Sequence, residues 1–303
     1  MNLLVTGAFN CREADLQALS DMGNDVVFHQ MESEDLPCSY SWVEGVICNG
    51  LFLHHPIEKF ENLKYIQLTS AGFDRVDMEY INKKGIKIHN ARGVYSIPMA
   101  EFALWGVLEL LKQGSAFLEN QKAHKWEKNR GLKELFGKTV CIVGCGNVGF
   151  ECAKRFKAFG TRVLGVDIVK PEAEFYDEYF PFEKMTDALG RADVLVLTLP
   201  LTKETENLFN SKTFALLKKD ALLVNISRGK VINQQDLIIA LSDGKLSGAV
   251  LDVFETEPLE ENSLLWDMKN VIITPHNSFV GENNLARLKE VIFKNLEMLK
   301  SEC

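Results

Sequence analysis

Short β-branched and apolar runs alternate with amphipathic stretches along nearly the whole chain. In the first part this pattern predicts strands at Leu3–Thr6, Asp25–Phe28, Gly45–Cys48, Tyr65–Thr69 and Ile86–His89. Between them, "READLQALSDMG" and "DMEYINKKG" have helical periodicity. Each stops at a glycine, which takes a left-handed C-cap without strain. The rhythm changes near Pro98. "PMAEFALWGVLELLKQ" reads as a long helix with proline in its first turn, and a second helix continues through Lys122. A second strand series follows at Thr139–Val143, Arg162–Val166, Val194–Leu199, Leu222–Ile226, Ala249–Val253 and Val271–Thr274. These strands are nearly continuous in Val, Leu and Ile, as in a sheet covered on both faces. From about Gly281 to Lys300, Leu285, Leu288, Val291, Ile292, Leu296 and Leu299 give a helix one apolar face, expected to pack back on the first domain. The strand–helix alternation predicts α/β units with mainly parallel sheets.

Composition narrows the class. The 303 residues suffice for about two domains. A net charge of -8 and a pI near 5.4 argue against a nucleic-acid or anionic-membrane surface. No apolar run reaches the roughly 18 residues that span a bilayer. The N-terminal "MNLLVTGAFN" lacks a basic flank and reads as a first strand, not a signal peptide. Cys11, Cys38, Cys48, Cys141, Cys145, Cys152 and Cys303 form an odd set without CxxC pairs, which suits reduced thiols in a cytoplasmic protein. No His or Cys set has metal-ligand spacing, so no metal is expected.

"TVCIVGCGNVGFECAKRFKAFG" contains GxGxxG at Gly144, Gly146 and Gly149. The context is the required one, with a buried strand before and an amphipathic helix after. Gly144 suits the tight turn, Gly146 the approach of a pyrophosphate, and Gly149 close helix–strand packing. The first helical amides, at Asn147 and Val148, would face the phosphates. About twenty residues on, "RVLGVD" ends at Asp167, placed to accept ribose hydroxyls and to repel a 2′-phosphate. NAD is therefore expected over NADP, a preference that nearby Lys170 weakens.

Three further segments each follow a predicted strand of the same sheet, where ligands of open α/β sheets bind. "LLVNISRGKVI" brings Ser227, Arg228 and Gly229. "GAVLDVFETEPL" brings Asp252 and Glu257. "VIITPHNS" brings His276. Arginine offers a planar fork for a carboxylate or developing oxyanion. Histidine exchanges protons near neutral pH, and a carboxylate partner would hold one ring nitrogen and fix the tautomer.

In this order, "GCGNVG" with Asp167, "LPLTKET", "NISRGKVI", "DVFETEPL" and "TPHNS" resemble the D-isomer-specific 2-hydroxyacid dehydrogenase family. The likeness covers the nucleotide-binding half and extends more weakly to "LTSAGFDRVD". It implies two Rossmann-like domains, each with a mainly parallel sheet flanked by helices, and an active-site cleft between them. Residues 1–97 plus 282–303 would bind substrate, and residues 98–281 would bind NAD. Arg228 would bind the substrate carboxylate and polarise its keto oxygen. His276 would exchange the proton, with Glu257 as its partner. Asp252 would hydrogen-bond the nicotinamide carboxamide. Leu199 and Pro200 would line the adenosine side, with Thr205 near the pyrophosphate. Ile226, Ser227 and Arg228 would border the nicotinamide ribose. Ser70, Ala71 and Gly72 would offer amides to the substrate carboxylate. A homodimer built on the helices after Pro98 and the arm near Trp126 is also implied.

The expected reaction is reversible NADH-dependent reduction of a small 2-oxo acid to the D-2-hydroxy acid. A hydroxypyruvate or glyoxylate reductase and a short phosphoglycerate dehydrogenase-like enzyme are alternatives. So is a non-catalytic NAD(H)-sensing interaction protein on the same scaffold. Formate-type members would carry a neutral amide in place of Glu257. Phosphoglycerate-type members often add a regulatory tail, whereas this sequence ends at Cys303. Leu51, Phe52, Phe73, Tyr95, Ser278 and Phe279 are candidates for facing the substrate side chain, which favours aliphatic or aromatic acids, although Leu51, Phe52 and Phe73 read equally well as core. His54, His55 and Arg75 receive no role.

Overall fold

The structure, a computed structural model, describes residues 1–171 and 174–301. Cys303 lies outside the described residues. The chain divides into two units, one of Met1–Tyr95 joined by the segment from Gly281 onward, the other of Ser96–Val280.

The first unit contains β1 (Asn2–Thr6), α1 (Glu13–Asp21), β2 (Asp25–His29), β3 (Gly45–Cys48), α2 (Leu51–His54), β4 (Tyr65–Leu68), α3 (Met78–Lys84) and β5 (Lys87–His89). Its strands are all parallel in the order β2-β1-β3-β4-β5. The period of two along β1 sends Leu3 and Val5 into one core with Ile47 and Tyr65. Leu4 faces the opposite core with Val46 and Ile66. Asp77 caps α3 by accepting the Tyr80 amide (2.9 Å), and Gly85 ends it at φ 69°.

The second unit opens with α4 (Ser96–Lys112) and α5 (Gly114–Lys122). Then come β6 (Thr139–Val143), α6 (Asn147–Ala158), β7 (Arg162–Asp167), β8 (Glu178–Pro181), α7 (Met185–Leu189) and β9 (Val194–Leu197). The unit closes with α8 (Ser211–Leu216), β10 (Ala221–Asn225), α9 (Gln234–Ser242), β11 (Leu246–Leu251) and β12 (Val271–Ile273). Among the described residues its seven strands are parallel in the order β12-β11-β10-β9-β6-β7-β8. Alternate residues serve the two faces. Val140, Ile142, Val194, Val196 and Val224 pack with Ala103 and Val107 of α4 and Phe156 of α6. Cys141, Val143, Leu195, Leu197 and Leu223 pack with Leu189, Phe214 and Leu237 from α7, α8 and α9. This two-sided burial is why these strands read as continuous apolar runs.

The chain then returns to the first unit as α10 (Asn284–Ser301). Leu288, Ile292 and Leu296 join the core that holds Leu3, Val5 and Tyr65. Asn295 donates to the buried Gln67 side chain (2.9 Å), and Lys289 pairs with Asp15 at 2.6 Å. No helix among the described residues is long and apolar enough to cross a membrane.

The sequence pattern misses β8. It is a four-residue edge strand paired only with β7, and "EYFP" lacks a β-branched run. Several predicted strands also run one or two residues past the hydrogen-bonded ladder. At Thr198–Leu199 and Ile226 those extra residues belong to the loops that follow the sheet.

Candidate active site

The order of the seven strands reverses direction between β6 and β9, which are neighbours at the centre of the sheet. A dinucleotide crosses such a sheet at this point. The glycine turn lies there, and its three glycines do different work. Gly144 has φ 98°, and a Cβ on it would fall 2.7 Å from the Leu199 amide nitrogen. A Cβ on Gly149 would lie 2.1 Å from the Gly144 carbonyl oxygen. A Cβ on Gly146 would meet no protein atom within 4 Å. The protein therefore needs Gly144 and Gly149 for its own packing, whereas Gly146 keeps open the space where a pyrophosphate would approach. Helix α6 begins at Asn147, directly after Gly146, so its first-turn amides at Asn147 and Val148 point from the helix end toward that space. The residues present fit a dinucleotide.

Two side chains brace this turn. Thr198 Oγ1 donates to the Gly144 carbonyl at 2.6 Å. Asp167, the last residue of β7, accepts the Cys145 amide on Oδ2 (2.5 Å) and the Ile168 amide on Oδ1 (2.7 Å). The carboxylate is thus held at the carboxyl end of β7, with acceptor capacity left for hydroxyls. Burial pushes the Cys145 thiol up to about 12, so no thiolate charge opposes phosphates here. Leu199 is buried and Pro200 exposed. Thr205 is buried and spends its hydroxyl inside the loop, donating to the Pro200 carbonyl and accepting the Thr202 amide, each at 2.7 Å. It shapes the loop rather than presenting a free hydroxyl to the pyrophosphate.

Gly146→Val is expected to weaken NADH binding at least about tenfold with an unchanged Tm, because its side chain enters only ligand space. Gly149→Val is expected to lower Tm by several degrees, roughly the effect of 1–3 kcal/mol of overpacking. Fluorescence titration with NADH and thermal melts would separate the two. Equal Tm losses would refute the division of labour.

The residues expected to carry acid–base chemistry follow the carboxyl ends of the adjacent strands β10, β11 and β12. His276 has φ 51°, a left-handed conformation unusual outside glycine. Its amide donates to the Asp252 carbonyl at 2.8 Å. The Asp252 carboxylate, fully buried, accepts the Thr274 hydroxyl (2.6 Å) and the Asn277 (2.7 Å) and Ser278 (2.9 Å) amides. Together these bonds fold the chain sharply after β12. They bring His276 Nδ1 to 2.8 Å from Glu257 Oε2, while Glu257 Oε1 accepts the Phe254 amide at 3.1 Å. A carboxylate at Nδ1 selects the tautomer with hydrogen on that nitrogen, so Nε2 is the atom left to exchange a proton. The two side chains are 43% and 37% exposed, so the pair contributes orientation rather than appreciable stability. Asp252, expected to bind a carboxamide, also ties together the loop that carries His276.

Arg228 follows β10, half-buried, with Nη1 donating to the Ser227 carbonyl at 2.8 Å. Ile226 and Ser227 are buried, so of these three only Arg228 has a substantially exposed side chain. A Cβ on Gly229 would lie 1.9 Å from the Phe254 carbonyl group. The Arg228 segment therefore packs directly on the loop that leads to Glu257.

In the first unit, the carbonyls of the loop after β4 are all engaged. Tyr95 Oη donates to Thr69 O, the Ala91 amide to Ser70 O (2.9 Å), Asn90 Nδ2 to Ala71 O (2.6 Å) and Ser70 Oγ to Gly72 O (3.1 Å). With those oxygens engaged, Ser70, Ala71 and Gly72 form a loop suited to donating amides to an anion. The residues expected to face the substrate side chain differ in burial within their own units. Leu51 is fully buried and Phe52 packs against Phe60, so both belong to the core of the first unit. Ser278 is buried, while Phe73 and Phe279 are 38% and 40% exposed. His55, given no role from the sequence, is buried and paired with the Tyr40 hydroxyl at 2.9 Å.

Residues 104–278 match the family described as D-isomer specific 2-hydroxyacid dehydrogenase, NAD binding domain. The chain belongs to this family. As a D-isomer specific 2-hydroxyacid dehydrogenase it is an NAD-dependent oxidoreductase. It is 32% identical to a glyoxylate reductase of Korarchaeum cryptofilum, over 96% of this chain and 92% of that protein. It is 34% identical to a hydroxypyruvate reductase of Blautia hydrogenotrophica, over 95% and 92% respectively. Its structure is similar to that of a D-lactate dehydrogenase from Aquifex aeolicus complexed with NAD and lactic acid. The TM-score is 0.80 at 27% identity, over 99% of this chain and 96% of the other.

Several residues that shape this dehydrogenase's site were not singled out from its sequence. Thr198 and Thr274 look like ordinary β-branched residues at strand ends, and only the fold shows what their hydroxyls reach. Asn225 left a faint signal, since Asn followed two residues later by Ser suits a side-chain-closed turn.

Proposed function

We propose that the protein catalyses NADH-dependent reduction of a small 2-oxo acid to the D-2-hydroxy acid, and the reverse. The observation that carries this reading is the His276–Glu257 pair at 2.8 Å, set beside the Arg228 segment at the ends of adjacent strands. Arg228 binds the substrate carboxylate and polarises the keto oxygen through its planar donors. When bound, the nicotinamide supplies or accepts the hydride. His276 Nε2 gives a proton to the oxygen in reduction and takes it back in oxidation. Glu257 holds Nδ1 throughout, so the ring neither flips nor changes tautomer. Leu199, Pro200 and the backbone at Ile226–Ser227 border the cofactor in this reading, and Asp167 favours NAD over NADP. The Ser70–Gly72 amides serve the substrate carboxylate. In this reading the second unit holds the cofactor and supplies Arg228 and His276 to the substrate, and the first unit supplies the Ser70–Gly72 amides.

The names of the relatives support glyoxylate or hydroxypyruvate as candidate substrates. The test is a panel of 2-oxo acids assayed with NADH and NADPH side by side. Turnover of glyoxylate, hydroxypyruvate or a small aliphatic acid, at least about tenfold better with NADH, is expected. Tight NADH binding with no turnover of any acid would instead favour a sensor.

The six free cysteines among the described residues suit a reducing cytoplasm. The exposed Trp105, Phe117, Leu118 and Trp126 of α4, α5 and the following arm suit a homodimer contact. Light scattering should give a dimer mass that Trp126→Glu shifts toward monomer. A monomeric parent would refute this part.

A further inference from the structure

The side chain of Asn225 ends β10 and is 1% exposed. Its Oδ1 accepts both the Ser227 amide (3.1 Å) and the Ser227 hydroxyl (2.8 Å). Its Nδ2 donates to the Arg228 carbonyl at 3.1 Å. Between those anchors, the Ser227 carbonyl receives Arg228 Nη1 at 2.8 Å. One amide therefore grips the peptide units on either side of the Ser227–Arg228 peptide, and the Ser227 carbonyl of that peptide holds the guanidinium. The Asn225 main chain continues the linkage. Its carbonyl accepts the Asp252 amide at 3.0 Å, and the Asp252 carbonyl accepts the His276 amide at 2.8 Å.

We infer that Asn225 is a positioning residue for the reaction: it aims the Arg228 guanidinium through the Ser227 carbonyl and ties its root to the strand ends that carry His276. This inference deepens the proposed function and rests on Arg228 being the group that binds the substrate carboxylate. A side-chain amide suits the task because it alone offers one acceptor and one donor at this reach, with no charge beside the guanidinium. Burial sharpens the requirement, since a lost partner leaves the Ser227 amide or Arg228 carbonyl unsatisfied. A guanidinium displaced by an ångström or so meets a carboxylate with one donor rather than two.

The experiment is a double-mutant cycle on the full chain, combining Asn225→Ala with Arg228→Lys and measuring kcat and KM for the best 2-oxo acid. NADH affinity and Tm serve as checks on folding. Asn225→Ala is expected to lower kcat/KM about 10- to 100-fold, mostly through KM, with NADH affinity unchanged. In the Arg228→Lys background the same substitution should cost less than about threefold, because the fork it aimed is gone. A purely structural role would give the same loss in both backgrounds, and that additivity would overturn the inference, as would parental kinetics in Asn225→Ala. Should Asn225→Ala not fold, Asn225→Ser serves instead, since its short hydroxyl cannot reach the Arg228 carbonyl and carries no charge, and the cycle is read in the same way. If Arg228→Lys itself turns over like the parent, the role of Arg228 falls, and this inference with it. An impaired Arg228→Lys with an additive cycle removes only the role of Asn225.

Discussion

His276→Ala should lower kcat by about 10²–10⁴ while leaving NADH affinity within about twofold of the parent. The rate falls because Nε2 is the ring atom left to exchange a proton once Glu257 holds Nδ1 at 2.8 Å. NADH affinity should be spared because the groups proposed to meet the phosphates and adenosine ribose sit at β6, β7 and α6, away from β12. One complication is the backbone, since alanine at φ 51° is strained by about 1–2 kcal/mol. His276→Asn removes the complication, because asparagine tolerates the left-handed region and cannot act as an acid. Both variants should show the same deep loss of turnover, with only the alanine variant melting earlier. Single-turnover absorbance at the nicotinamide band, fluorescence titration and a thermal melt measure all three quantities. Turnover within a few-fold of the parent in His276→Asn would remove the histidine from the chemistry.

Arg228→Ala should reduce kcat/KM by about 10²–10³, the scale seen when a charge-stabilising donor is deleted. Its signature differs from that of the histidine. KM for the 2-oxo acid should rise as well as kcat fall, because the guanidinium serves both the ground-state carboxylate and the developing oxyanion. Lysine should restore little, since an ammonium lacks the planar fork that the Ser227 carbonyl orients. Gly229 is wedged against the Phe254 carbonyl group, so the Arg228 backbone has little room to adjust. Steady-state kinetics across a range of 2-oxo acid concentrations would show the split. A variant with normal KM and reduced NADH affinity would move Arg228 from the substrate to the cofactor.

Much of this site is visible in the linear chain, and the reasons are local. GxGxxG between a buried strand and an amphipathic helix carries its meaning because a turn, a helix start and a ligand's approach all occur within a few residues. Asp167 is legible because the next parallel strand ends beside that turn. Arg228 and His276 each follow a strand of a sheet covered on both faces, and such strands announce themselves as apolar runs. Glu257 was harder to place. Its loop is acidic and exposed, and only the bond to Nδ1 separates it from Glu255 and Glu260. Leu51 and Phe52 misled in the opposite direction. Their position after a strand suggested a pocket, yet their side chains complete the core of the first unit.

The sequence by itself determined the strand–helix rhythm, the dinucleotide turn and the residue types available for proton transfer and carboxylate binding. Each depends on neighbours within one or two elements, where periodicity and backbone chemistry are written in order. The tertiary structure alone decided which distant side chains hold those groups in place: Thr198 on Gly144 and Asp252 beneath the His276 loop. The physical reason is that a hydrogen bond demands about 3 Å and a direction. Only the strand order β12-β11-β10-β9-β6 brings residues tens of positions apart within that reach.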